Sequence, residues 1–306
     1  MNLTPTFPIL IALGIFLSTE VRSQAVAGSH CDKLRVLVSK AFASSFQSFF
    51  ASEKDITSPS HPQINHHVNE EGPLSSRILN SHNSHALINT FSRMQVGDDI
   101  NGEAPEDWSG YSVDMSSDGK RVIIGADWND GNGDKSGHAR VFEEVNGEEW
   151  KQIGGDIDGE APNDRAGGSV GISSDGKRVI VGSYRNSGNG EFSGHARVFE
   201  EVNDNWSQIG EDINGEGAGD FSGECVDMSG DGKRVIIGAR FNGNRSGHAR
   251  VFQEINGAWV QVGSDIDGEK NDDESGFGVS MSSDGKRVMT CWFGVNCTWM
   301  AGGTRI

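Results

Sequence analysis

Cysteine is scarce in this chain. Cys31, Cys225, Cys291 and Cys297 are the four in 306 residues, and no CxxC pair exists, so a cysteine-type zinc site has no support. Proline is low, at 7 residues. No segment after Leu17 is apolar for long enough to span a bilayer as a helix. Basic residues are few, and the net charge is -18. The deficit lies in residues 95–306, with 19 Lys/Arg against 38 Asp/Glu. Such a field repels nucleic acid and anionic lipid at long range. It suits cations, basic partners or plain solubility. No phosphate loop, zincin motif or isolated carboxylate pair is present, so no motif points to catalysis.

What is abundant is glycine, at 42 residues, beside short apolar runs. That pairing predicts strands and tight turns rather than long helices. The N-terminus reads differently. Phe7 to Leu17 is an apolar run of signal-peptide length, and Ala25-Val26-Ala27 offers a small-x-small cleavage site. Residues 1–27 are therefore expected to be a signal peptide, with an uncleaved signal anchor as the alternative. Export permits disulfides, and Cys291 and Cys297 are close enough in sequence to pair. Residues 28–92 read as a helix followed by a low-complexity linker. Leu34, Val38, Phe42, Phe46 and Phe49 recur at helical spacing within 32–52. Residues 53–92 are rich in Ser, His and Asn. His61, His66, His67, His82 and His85 lie there at irregular spacings, which favours a solvated linker over a metal-binding tract.

From Gln95 the chain repeats itself. The string SDGKRV, or SGDGKRV, places its Asp at Asp118, Asp175, Asp231 and Asp284. SGHARVF starts at Ser136, Ser193 and Ser246, and Trp150, Trp206 and Trp259 follow. Identity at a near-constant period marks a repeat architecture. The units run over about 95–151, 152–207, 208–260 and 261–306. Each holds four strand candidates, which in the first unit are 110–116, 120–126, 137–145 and 149–154. Ser-Asp-Gly joins the first two as a tight turn. Asn146-Gly147 joins the last two as a hairpin, because both residues tolerate positive φ; Asn256-Gly257 repeats the signal. Val122-Ile123-Ile124 predicts a strand covered on both faces, whereas HARVFEE alternates, with Ala139 and Val141 on one face. The fold class is therefore all-β, with about 3.5 to 4 propeller-like four-stranded blades and a stacked solenoid as the alternative. Fifteen strand candidates, with a tail after Val288 that follows no other copy, fall short of the usual ring.

The unit resembles the FG-GAP repeat, the blade of the integrin-α-type propeller. Gly110, Ser112 and Val113 match its first motif, as do Gly167, Ser169 and Val170. Gly125-Ala126 and Gly238-Ala239 match its second. The family's Phe is replaced by Ser109, Ala166, Ser222 and Ser275, and the Pro of its G-A-P is absent. The family's calcium loop lies between the two motif strands, where this chain has only a short turn. The resemblance implies a β-propeller that binds at the cell surface or in the matrix.

Several constellations remain. An acidic string precedes each Gly-x-Ser-Val strand: Asp99, Asn101, Glu103, Asp107; then Asp156, Asp158, Glu160, Asp164; then Asp212, Asn214, Glu216, Asp220; then Asp265, Asp267, Glu269, Asp273. Oxygen side chains at loop positions 1, 3, 5 and 9 supply hard ligands, so calcium is the candidate ion; polar turns with Asp caps are the alternative. His138, His195 and His248 recur with Arg140, Arg197 and Arg250. Repetition in every unit favours a polar network that locks strands over a catalytic set. Gly167-Gly168-Ser169-Val170-Gly171 spells G-x-S-x-G, but the Ser falls inside a strand candidate, where a nucleophile elbow does not form. Cys225 occupies the position of Ser112, Ser169 and Gly278, as a small buried residue would. Asn205, Asn244 and Asn296 open N-glycosylation sequons. Together these predict a secreted or cell-surface, non-catalytic binding or adhesion module with a protein or glycan ligand. An enzyme with a site in the propeller channel, or a structural coat protein, is the alternative.

Overall fold

The computed structural model describes residues 95–292 and 297–301, and apart from one helical turn at Asn242–Arg245 its regular structure is all β. The expected signal peptide, the helix at 32–52 and the histidine-bearing linker lie outside the described residues. The first sheet is an antiparallel meander of β1 (Ser112–Met115), β2 (Arg121–Ala126), β3 (His138–Val145) and β4 (Glu149–Gln152). A two-residue strand, β5 (Ile157–Asp158), pairs with the start of β3 beside β4. The second sheet repeats this with β6 (Ala166–Ile172), β7 (Arg178–Ser183), β8 (His195–Val202), β9 (Asn205–Gln208) and β10 (Ile213–Asn214). The third has β11 (Cys225–Met228), β12 (Arg234–Ala239), β13 (His248–Ile255), β14 (Ala258–Gln261) and β15 (Ile266–Asp267). A fourth sheet holds β16 (Gly278–Met281), β17 (Arg287–Cys291) and β18 (Cys297–Ala301). The chain is thus built of repeated antiparallel blades of propeller type. The tail supplies a third strand to the last blade, and Cys291 faces Cys297 across it in a disulfide.

Turn chemistry sets the strand registers. The Ser116 hydroxyl donates to Asp118 at 2.7 Å, and Asp118 accepts the Lys120 N–H at 3.0 Å. Gly119 takes φ +75°, which glycine adopts freely. The same contacts recur at Asp175, Asp231 and Asp284. At the second hairpin Asn146 and Gly147 both have positive φ, as do Asn256 and Gly257, so the Asn-Gly signal is a true two-residue turn.

Consecutive blades stack face on face through their first strands, β1 on β6, β6 on β11 and β11 on β16. Val179, Ile180 and Val181 of β7 are therefore fully buried, on both faces of the strand. The first blade has no neighbour on its outer face among the described residues, and Val113 and Met115 of β1 are about half exposed there. Burial differs from expectation on β3. Its polar face is covered as well as its apolar one: His138, Ala139, Arg140, Val141 and Phe142 are all buried. The alternation in HARVF separates two buried faces, one apolar and one ionic.

Three devices stitch blade to blade. Backbone bonds run turn to turn, from Ser117 N–H to Ser174 O at 3.0 Å and from Ser174 N–H to Gly230 O at 2.8 Å. The glycine near the end of each second strand lets the sheets close up: a Cβ on Gly182 would lie 2.0 Å from the Gly223 oxygen. The fourth copy has Cys291 at the matching position. Finally, the tryptophan of a blade donates its indole N–H to the carbonyl just past the outer strand of the preceding blade, Trp206 to Ile153 at 2.9 Å and Trp259 to Ile209 at 2.8 Å. Trp150 does the same to Val96 at 3.0 Å, so residues 95–97 take the place that the end of an outer strand takes in later copies. Trp206→Phe is expected to lower stability by about 1 kcal/mol through the lost hydrogen bond. Urea denaturation of the full chain checks this, and an unchanged midpoint would mean the indole contact contributes nothing.

Candidate functional site

The acidic strings are split by position among different tasks. Carboxylates at position 9 cap their own loops. Asp107 accepts the Ala104 N–H at 2.9 Å, Asp164 the N–H groups of Glu160 and Ala161, Asp220 that of Gly217 and Asp273 that of Lys270. Asp107, Asp164 and Asp220 also accept from Asn129, Asn186 and Asn242 of the β2–β3 type of loop. At position 1, Asp99, Asp156, Asp212 and Asp265 each accept from a glutamine side chain four residues earlier. At position 3, Asp158, Asn214 and Asp267 sit on β5, β10 and β15, directly opposite His138, His195 and His248. Asn101 donates to the Asp99 carbonyl. Glu269 is exposed.

Glutamates at position 5 of the first three strings reach forward to the third strand of the blade that follows instead. Glu103 lies 3.8 Å from His138 Nδ1, and Asp156 lies 3.7 Å from the same atom. Glu160 and Asp212 flank His195 at 3.9 and 3.6 Å; Glu216 and Asp265 flank His248 at 3.8 and 3.7 Å. The three clusters of His and carboxylate atoms within 4.8 Å each draw on two successive acidic strings. Among the described residues none gathers its carboxylates from one string. Beside each imidazole an arginine donates to a loop carbonyl: Arg140 to Asn101 O at 2.7 Å, Arg197 to Asp158 O, and Arg250 to Asn214 O at 2.6 Å. Burial is the largest influence on the three histidines and pushes each below its usual range, with the neighbouring arginine adding to it. For His195 the value falls to about 4. All three imidazoles are therefore neutral at pH 7. Burial, and Asp156 beside it, raise Asp158.

A second assembly lies at the loops that precede the first strand of each blade and join its second to its third. Five repeat positions there carry a different residue in every described copy. They read Trp108, Arg165, Phe221, Glu274; Tyr111, Gly168, Glu224, Phe277; Asp127, Tyr184, Arg240; Trp128, Arg185, Phe241; and Lys135, Phe192, Arg245. The structure brings these residues into one ribbon. Trp108 stacks on Trp128 at 4.4 Å, and Arg165 lies over the Trp128 ring at 4.1 Å. Tyr184 hydroxyl approaches Asp127 at 3.4 Å and its ring stacks on Phe221. Phe221 meets Phe192 and, edge on, Phe241 at 5.2 Å. Arg240 covers Phe241 at 4.3 Å and pairs with Glu224 at 2.6 Å and Glu274 at 3.5 Å. Trp108 is about half exposed. The signal was available in the sequence: aligning the copies on SDGKRV and SGHARVF shows which positions refuse to repeat.

Other candidates fall in separate places. Ser169 is buried in β6 and its hydroxyl accepts the Val226 N–H at 3.0 Å. Cys225 is fully buried and disulfide-bonded, so it offers no reactive thiol. Asn205, at the start of β9, and Asn244, in the loop before β13, are exposed; Asn296 lies outside the described residues. Among the described residues no helix is long and apolar enough to cross a membrane.

The family model for the FG-GAP repeat matches residues 101–142. That span runs from the first acidic string through β1 and β2 into β3, so the resemblance carried by Gly110, Ser112, Val113 and Gly125-Ala126 is shown there. One unit of the chain is thus similar to an FG-GAP repeat, and the match covers residues 101–142 alone. No curated protein matches it. Among solved structures it is similar to hydrazine synthase of Kuenenia stuttgartiensis, at 13% identity over 68% of this chain and 49% of that one, with a TM-score of 0.43. It is also similar to TolB from Acinetobacter baumannii, at 15% identity over 64% and 41%, with a TM-score of 0.38. The chain spans less than half the length of either.

Proposed function

We propose that this chain is an exported, non-catalytic recognition module whose ligand face is the ribbon running from Trp108 to Phe277. The observation that carries this reading is the contrast within the repeats. Residues that hold strands, turns and blade contacts recur copy after copy, while the five ribbon positions differ each time and still meet in space. A scaffold needs the same residue at each equivalent place. A binding face for an asymmetric ligand needs different ones. Indole, phenyl and guanidinium planes give large rigid contact area at little entropic cost, as recognition surfaces favour. Arginine over aromatic rings holds those planes in place before a ligand arrives. A glycan or a protein at the cell surface presents the matching mixture of flat apolar and polar groups.

The test is an array of glycans and extracellular proteins probed with the full chain and with Trp108→Ala. Trp108 is half exposed and outside the strands, so the variant folds. Binding is expected to weaken tenfold or more. Undiminished binding by the variant, or turnover of a substrate by the unmodified chain in a hydrolase panel, would overturn the reading.

A further inference from the structure

We propose that His138, His195 and His248 head three equivalent sites for a divalent transition-metal ion, each completed by the glutamate of one acidic string and the aspartate that opens the next. The sites straddle units: Glu103 and Asp156 serve His138, Glu160 and Asp212 serve His195, Glu216 and Asp265 serve His248.

The imidazoles carry the case. Each is 99% buried or more, yet Nδ1 of His138 and of His195, the atom that faces the carboxylates, lacks a hydrogen-bond partner; His248 shares their geometry, and its unpartnered nitrogen is Nε2. Leaving such a nitrogen dry and unpaired is costly, and folded proteins rarely do it. Nδ1 points at two carboxylate oxygens in every copy, at 3.6 to 3.9 Å. That is too long for a hydrogen bond. It is close to the separation of two ligands held on one ion, roughly 3–4 Å for metal–ligand bonds near 2.1 Å. One nitrogen and two carboxylate oxygens suit zinc, cobalt or manganese better than calcium, which prefers an all-oxygen shell of six to eight ligands.

The surroundings serve the same end. Arg140, Arg197 and Arg250 stand 3.7 to 3.8 Å from the far oxygen of each glutamate and orient it from outside. The half-exposed glutamates leave an entry path and room for water on the ion. Metal there would tie each acidic loop to the next blade's third strand and offset part of the acidic field. Among the described residues there are three such clusters, and Glu269 of the fourth string belongs to none of them.

Full-length protein, stripped with chelator and dialysed, is titrated with zinc and separately with cobalt, and bound metal is counted by elemental analysis. Histidines outside the repeats take up metal too, so the decisive number is a difference. Glu103→Gln, Glu160→Gln and Glu216→Gln are each expected to lose one equivalent and the triple variant three, with loss of the matching cobalt absorption bands. These glutamates are about 45% exposed, and circular dichroism confirms that the variants keep the fold. A triple variant that binds as much metal as the unmodified chain overturns the proposal. So does uptake of calcium but not zinc, which would assign the ions to oxygen-only loops.

Discussion

Gly182→Ala is expected to destabilise the chain by about 3 kcal/mol or more, near the top of the range for overpacking. Gly119→Ala should cost only about 1 kcal/mol. The contrast runs against the usual expectation from backbone angles. Gly119 has φ +75° but nothing within 4 Å of where a Cβ would go. Gly182 has an ordinary strand conformation, yet its Cβ would sit 2.0 Å from the Gly223 carbonyl oxygen and 3.0 Å from its carbon. Both obstacles are backbone and belong to the next blade. Relief therefore requires the second and third blades to part along β7 and β11, which exposes Val226 and Ile180. Each is fully buried, and burial of such a side chain is worth about 1.5–3 kcal/mol. Gly125 and Gly238 meet the oxygens of Gly167 and Gly276 in the same way, at 2.1 and 2.0 Å. Urea denaturation of the two variants beside the parent decides the matter. Equal midpoints for Gly182→Ala and the parent would mean the blades do not approach through this glycine.

Strands, hairpins and blade number were legible in the sequence because their causes are local. Ser-Asp-Gly and Asn-Gly specify turns by their own hydrogen bonds and φ angles, and the apolar runs between them specify strands. The acidic strings were legible as a pattern but not as a geometry. Spacing alone groups Asp156, Asp158, Glu160 and Asp164 in one loop. In the structure Ile157 is drawn into the core of the first sheet, which makes β5 and turns Asp156 back toward His138. Glu160 lies beyond Gly159 and faces the second blade. One apolar residue in each polar string, at Ile157, Ile213 and Ile266, is the signal of that division, and all three are buried. The ionic face of HARVF was misjudged for a related reason: its cover comes from a loop about 39 residues earlier in sequence, which period-two alternation does not register. The ribbon needed the opposite habit of reading, attention to positions where copies disagree.

Arg240→Met should destabilise the chain by about 3–5 kcal/mol at pH 7, the range for removing one partner of a buried ion pair. Arg240 stands between Glu224 and Glu274, and all three side chains are at least four-fifths buried. Methionine keeps the apolar stem over Phe241 and Phe277 but leaves the carboxylates facing each other without that cation. Glu224 is already pushed above its ordinary value of 4.5, chiefly by burial, with Arg240 opposing the rise, Glu274 adding to it and Arg185 helping to restrain it. An acid whose folded pKa lies above its unfolded one contributes stability at low pH and loses it as pH rises through the folded value. Removing Arg240 raises that value further. The gap between variant and parent should therefore be small near pH 4.5 and widen toward neutrality. Adding Glu224→Gln to the variant should recover much of the loss at pH 7, because the amide carries no charge to bury. Urea denaturation at both pH values tests the sequence of effects. A gap of the same size at pH 4.5 and pH 7, with no recovery in the double variant, would place the cost in lost packing over the aromatic rings rather than in the stranded carboxylate.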